Sequence, residues 1–273
     1  MKKELQKTIR NFAKLGFERG TIPFQKGTHL HVLKNKDDNF FGKPIFKFHR
    51  WAGSLTSSQA FAYNIFSGVA KPEEFEFGMW ALRNSPIRKA CIDVAIEDKN
   101  GIIDMYEVKM FELASIGKNR IFHKEHEKYL DPNNYECSTP EVAKHFVKFI
   151  TDVKRHFEDK RIYGEGIKQL CCHLLGITNE MKNNNGNLRD KKVNLYSFCY
   201  DHDISSEEFS ATLENYRTVL KDFSPMVENY LKNVSLHNRV KYCGFLSAKG
   251  YIEKNRKFIG DNNYKYIKNR YFF

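Results

Sequence analysis

Asp93, Glu107 and Lys109 are the residues whose types and spacing suggest chemistry. Two β-rich runs, Cys91 to Asp98 and Ile102 to Lys109, meet at Lys99-Asn100-Gly101. Asn-Gly at that point suits a three-residue connection, a type I turn followed by glycine in the left-handed region. In that register Asp98 pairs with Ile102, so Asp93 falls opposite Glu107. Directly opposed residues share a face, with Cβ atoms about 5 Å apart. Lys109, two beyond Glu107, points the same way. A two-residue turn would shift the parity and part the two carboxylates.

Two opposed like charges are unfavourable, and a divalent cation between them would remove the repulsion. Oxygen ligands of this kind suit Mg²⁺ (or Mn²⁺), which keeps waters for a phosphate substrate. Such an ion lowers the pKa of a bound water and stabilises charge on the phosphate. Lys109 would orient that water or neutralise the phosphoryl oxygens. An ordinary salt bridge on a half-exposed hairpin is the competing reading of the same three residue types.

The elements that must position these residues alternate between helix and strand, an α/β pattern. Thr56-Ser57-Ser58-Gln59 has the form of a capping box with Thr56 as the cap, and opens a helix over 57–69. The alternation of Glu73 to Gly78 suggests a strand, followed by the hairpin strands 91–98 and 102–110. Thr139-Pro140-Glu141 is a helix start, with threonine as N-cap and proline at the first helical position, for a helix over 141–158. A second helix is expected over 165–177 and a strand over 193–200. The segment from Thr178 to Lys192, centred on Asn183-Asn184-Asn185-Gly186-Asn187, reads as a surface loop. Residues 206–232 read as helix interrupted near Pro225.

The chain has 273 residues and a formal net charge of +12, ample for one elaborated domain with a sizeable core. The charge is unevenly placed: net +8 over 1–50, −3 over 51–238 and +7 over 239–273. Leu5, Ile9 and Phe12 form one apolar helical stripe, with Lys3, Lys7, Arg10 and Lys14 on another face. Those four cations are candidates for DNA phosphate contact, or a solvated face over a packed stripe. The C-terminal end interleaves nine basic residues with nine aromatics. That mixture suits backbone contact plus base stacking, and equally a small core with a charged surface.

Several chemistries lack their motifs. There is no Gly-x-x-x-x-Gly-Lys phosphate loop and no Gly-x-Ser-x-Gly nucleophile elbow. His123-Lys124-Glu125-His126-Glu127 is not His-Glu-x-x-His, and His29 with His31 offers no third metal ligand. The six cysteines form no Cys-x-x-Cys pair and read as reduced core thiols. No run of 18 apolar residues is present, and the first residues contain no apolar signal core, which points to a cytoplasmic protein.

Asp93, thirteen intervening residues and Glu107-Val108-Lys109 resemble the signature of the PD-(D/E)XK nuclease superfamily. The expected order of elements resembles its αβββαβ core, a mixed central sheet flanked by helices, here with helical additions. Trp51-Ala52-Gly53-Ser54, Ser57-Ser58-Gln59-Ala60, and Gln169-Leu170 with His173-Leu174-Leu175-Gly176 sharpen the likeness to a bacterial group of restriction endonucleases. The resemblance covers roughly residues 48–201, leaving a basic extension over 1–47 and a helical, basic one over 202–273. It implies a Mg²⁺- or Mn²⁺-dependent endonuclease acting on double-stranded DNA, in restriction or defence. Asp93 and Glu107 would be metal ligands and Lys109 the third catalytic residue. It is compatible with a homodimer and with a methyltransferase partner. Two other readings stand beside it: a repair or recombination nuclease, and a non-catalytic nucleic-acid-binding module on the same scaffold.

The chain departs from the pattern in places. Ile92, not proline, precedes the aspartate. Gln59 stands where the first helix often carries an acid, so it is either a metal-linked auxiliary residue or merely part of the capping box. Gln169-x-x-x-His173 stands where related nucleases carry Gln-x-x-x-Tyr, and two helical residues four apart share a face. Glu76 is either an auxiliary acid or a strand-surface glutamate.

Overall fold

The structure, a computed structural model, describes residues 57–81, 89–110, 112–114, 121, 129–135, 139–201 and 207–272. Lys3, Lys7, Arg10, Lys14, the Trp51 to Ser54 string, His29, His31 and residues 123–127 lie outside them. The described chain is α/β, with five strands in one mixed open sheet flanked by helices. Helix α1 (Ser58–Phe66) precedes β1 (Phe75–Trp80), β2 (Lys89–Glu97) and β3 (Ile102–Lys109). Helices α2 (Pro140–His156) and α3 (Gly164–Lys182) lead to β4 (Lys192–Cys199). Helix α4 (Glu207–Asn233) leads to β5 (Val240–Ser247), and α5 (Ala248–Lys254), α6 (Arg256–Ile259) and α7 (Asp261–Tyr271) follow.

The strands lie in sequence order, β1 to β5. The first three pair antiparallel; β3 with β4 and β4 with β5 pair parallel. Parallel neighbours require long crossovers, which the helices between β3 and β5 supply. The β2–β3 hairpin has the expected register, with Val94 on Tyr106 and Glu97 on Ile103. Gly101 sits at φ +75° and its N–H bonds the Asp98 carbonyl at 3.1 Å. The Asp98 carboxylate accepts the Asn100 and Ile102 N–H groups at 2.8 and 2.9 Å, tying the turn from inside.

Each face of the sheet buries its own core. Met79, Ile92, Ile103, Met105, Val193 and Leu195 pack with α2, α3 and α4. Phe75, Val94, Tyr106, Val108 and Phe198 pack with α1 and the C-terminal helices. Strand β3 keeps the simple alternation, odd residues to the first face and even to the second. Strands β1 and β2 do not. Phe75 joins the second core but Phe77 and Met79 the first, and Ile92 joins the first but Val94 the second. The alternation slips at Glu76 and Asp93, which face each other between the pairs Phe75–Val94 and Phe77–Ile92. Glu76 shows the cost as a left-handed backbone, φ +49°. Local breaks of this kind re-aim side chains beside functional sites.

Several sequence expectations need correction. The cap of α1 is Ser57, whose hydroxyl accepts the Ala60 N–H at 3.2 Å; Thr56 lies outside the described residues. The first strand starts at Phe75, because Pro72–Glu74 forms a 3-10 turn. Helix α3 runs through Thr178 to Lys182, so the start of the expected loop is buried helix. Its buried residues there are Thr178, Asn179, Glu180 and Met181. Helix α4 continues through Pro225 without interruption. The basic C-terminal stretch contributes β5, and Tyr242, Tyr271 and Phe272 are core residues, while Phe258 is exposed. Those three core rings are not available to stack on bases. Five of the cysteines are described, all as free thiols, with Cys171 and Cys199 buried and Cys91 exposed.

Candidate active site

The last residues of β3 hold the centre of the site. Glu107 and Lys109 point to the first face, and they are only 3% and 4% exposed. The Lys109 ammonium bonds Glu107 Oε1 and donates to Gln169 Oε1 at 3.0 Å. The other Glu107 oxygen, Oε2, lies 2.6 Å from Nε2 of His173. Gln169 and His173 are one turn apart on α3, so one helix face meets both members of the β3 pair. Helix α3 approaches the sheet closely: a Cβ on Gly176 would lie 2.7 Å from Cβ of Met79.

Asp93 enters from the neighbouring strand. The β2–β3 ladder ends at Val94–Tyr106, and in its register the next bond would join the Val108 N–H to the Ile92 carbonyl. The Asp93 carboxylate takes that N–H at 2.7 Å. Val108 stands between Glu107 and Lys109, so the bond sets the half-buried Asp93 carboxylate beside both. Glu76, on the far side of Asp93, accepts a hydrogen bond from Gln59 Nε2 at 2.9 Å. Gln59 is therefore turned toward β1. Glu112, just past β3, accepts the Met110 N–H at 2.8 Å.

The charges are strongly coupled. Burial raises the Asp93 carboxyl well above its ordinary range, and the Glu107 charge raises it further, against the pull of Lys109. Burial also acts on Glu107, but Lys109 and His173 outweigh it and bring that carboxyl down to about 2. Burial works against the Lys109 ammonium, yet Glu107 and Asp93 together hold it well above its ordinary value. Burial raises Glu76, its bond to Gln59 works the other way, and Glu107 adds to the rise. Glu107 is thus the fixed anion of the group and Asp93 the strained one.

Of the six sequence-predicted residues of the core, Glu107, Lys109 and Gln169 are hydrogen-bonded together, Gln59 and Glu76 form a separate pair, and Asp93, bonded to the Val108 N–H, feels the charges of Glu107, Lys109 and Glu76. His173 joins them as a direct partner of Glu107. The four-residue spacing from Gln169 was the sequence signal for it, but nothing in the sequence said which strand it would meet. Tyr163 lies close enough to feel Lys109, with burial pushing its hydroxyl up to about 12.

Among the described residues, no three His, Cys, Asp or Glu side chains are grouped as a ready metal cage. A cage is not what Mg²⁺ needs, since that ion is commonly held by one or two carboxylates and keeps several waters. Asp93 and Glu107 fit that donor set, and the repulsion between them is what a cation would relieve. Both Glu107 oxygens already hold a hydrogen-bonded partner, so an incoming ion would share an oxygen with that partner or displace it. No protein-family model, curated protein or solved structure matches the chain. No described helix is long and apolar enough to cross a membrane.

Proposed function

We propose that the chain is a divalent-cation-dependent endodeoxyribonuclease of the PD-(D/E)XK type, hydrolysing phosphodiester bonds of double-stranded DNA in a restriction or defence role. The observation that carries this reading is the Asp93 bond to the Val108 N–H. It brings the carboxylate of one strand to the Glu-x-Lys pair of the next, at the edge of a buried cluster. The order of helix, three strands, helices and strand supports the same reading. So do the net +8 and +7 charges of the chain's two ends, which suit a polyanionic substrate.

Asp93 and Glu107 are the residues that would hold Mg²⁺ or Mn²⁺. The bound ion supplies an acidified water and charge stabilisation at the phosphate. Lys109 is held by Gln169 at a point where it can orient the attacking water and offset charge on the phosphoryl oxygens. Water would form the new P–O bond, releasing a proton to solvent, as the bond to the leaving sugar oxygen breaks and that oxygen takes up a proton. Glu76, bonded by Gln59, adds a further negative charge near Asp93 from the side of β1.

The test is incubation of the purified protein with unmethylated closed-circular plasmid, with and without Mg²⁺, beside Asp93→Asn and Lys109→Met. Ion-dependent nicking by the parent and none by the variants is expected. Equal cutting by parent and both variants would overturn the assignment. Retention of DNA that falls with salt but never yields nicks would indicate a binding module. Attack on linear DNA alone would indicate an end-dependent nuclease.

A further inference from the structure

We infer that His173 is a positioning residue that reserves one oxygen of Glu107, leaving the carboxylate a single oxygen with which to bind a cation, and so sets the site's preference for Mg²⁺ over larger ions. The inference rests on the metal-dependent reading above. It begins from an asymmetry between the two partners of Glu107. Lys109 holds Oε1 but also reaches Gln169 at 3.0 Å, so it has another acceptor when it leaves Glu107. His173 has no such alternative. Its ring is 3% exposed, Nε2 is 2.6 Å from Glu107 Oε2, and Nδ1 is buried with no hydrogen-bond partner.

Those contacts fix the position of the proton. Across the 2.6 Å contact the carboxylate oxygen accepts and Nε2 is the donor. Removing Nε2 from Glu107 would strand a buried donor as well, and each buried polar group without a partner is costly. Oε1, whose partner Lys109 has Gln169 as a second acceptor, is the oxygen that opens to an ion; Oε2 stays with the imidazole. A carboxylate limited to one oxygen suits Mg²⁺, which demands compact octahedral geometry. A carboxylate free to turn and offer both oxygens suits Ca²⁺.

The experiment measures ion binding without DNA, by calorimetric titration of the full chain with Mg²⁺ and with Ca²⁺. The variants are His173→Leu, which removes the donor, and His173→Gln, whose amide can place a donor near the position of Nε2. Outer-shell partners of ligands typically tune affinity about 10–100-fold. His173→Leu is therefore expected to weaken Mg²⁺ about tenfold or more and to move the Mg²⁺/Ca²⁺ affinity ratio toward Ca²⁺. His173→Gln should stay within about threefold of the parent in that ratio, on the same scale of outer-shell effects. An unchanged ratio in His173→Leu overturns the inference, as does a glutamine variant that behaves like the leucine one. Thermal melting of all three proteins keeps misfolding from passing as an effect. A parent that binds neither ion removes the metal-dependent reading itself, a result separate from an altered ratio.

Discussion

Replacing Lys109 by methionine separates a buried functional cluster from an ordinary salt bridge. Both partners of the Lys109–Glu107 pair are almost completely buried, and the ammonium also offsets the Asp93 charge. Methionine keeps much of the side-chain volume and removes only the charge and its donors. Glu107 then retains His173 as its partner for one oxygen, Gln169 Oε1 loses a donor, and Asp93 faces acids without a cation. Removing one partner of a buried pair typically costs about 3–5 kcal/mol, whereas an exposed pair is worth about 0–1 kcal/mol. The half-buried Asp93 can take up a proton and recover part of the loss, so about 3 kcal/mol is expected at pH 7, the low end of the buried range. Adding Glu107→Gln to Lys109→Met should restore part of it, giving a coupling of about 2 kcal/mol, within the span seen for directly contacting residues. Urea unfolding followed by far-ultraviolet circular dichroism, with chelator present, measures Lys109→Met, Glu107→Gln and the double variant. A loss under about 1 kcal/mol for Lys109→Met, the size of an exposed pair, would refute the buried-cluster account.

The remaining predictions concern the acids and the close approach of α3. Asp93→Asn keeps an acceptor for the Val108 N–H but removes the strained charge, so it should be more stable than the parent by about 0.5–2 kcal/mol at neutral pH, the usual gain on relaxing a functional site. The sign follows from proton linkage. A carboxyl raised in the folded state makes the parent lose stability as pH climbs from the ordinary aspartate range through the folded value. The asparagine variant, followed by thermal melting across pH, should lack that decline; equal stability at every pH would refute it. Glu107 acts oppositely, its contribution present above pH 4.5 and lost as pH falls toward about 2, so Glu107→Gln should flatten that acid limb in the same measurement. Glu76→Gly relieves a left-handed backbone but gives up the bond from Gln59, so stability in urea unfolding should change by no more than about 1 kcal/mol while any cleavage falls. Gly176→Ala drives a methyl against Met79 and should cost about 1–3 kcal/mol, the usual range for overpacking.

The hairpin was legible because its turn chemistry is local. Asn100-Gly101 and the Asp98 side chain determine the register as far as Val94–Tyr106; beyond that pair the ladder stops, and Asp93 meets the Glu107-Val108-Lys109 segment through the Val108 N–H rather than by opposing Glu107. The helix start at Thr139 is legible for the same reason: its hydroxyl accepts the Val142 N–H at 3.3 Å, as its position before Pro140 implies. Gln59 was harder. Its spacing fits the residue that reaches back to a Thr56 cap, but the cap is Ser57, and the contact with Glu76 depends on how α1 lies over β1. The slip in alternation on β1 and β2 is invisible in sequence, since Phe75, Phe77 and Met79 read equally well on either face. Strand β5 was hidden within a stretch whose lysines and aromatics suggested a binding surface. The aromatics that proved to be core fill both faces of the sheet, Tyr242 the first and Tyr271 and Phe272 the second.

The Asp93 bond also bears on how the site should be probed. At the level of Asp93 the backbone of β2 has turned, and a side-chain oxygen satisfies the N–H that would otherwise be left at the end of the ladder. The same group is therefore a hinge pin between two strands and a candidate metal ligand. Alanine at 93 removes both roles together, so its loss of activity would not separate them. Asparagine leaves the pin in place and changes only the charge. The stability gain expected of asparagine and the activity loss expected of it arise from one cause: a carboxylate held where the fold alone would favour a neutral group. A site built for a cation has reason to retain that disfavoured charge, whereas a purely structural hairpin does not.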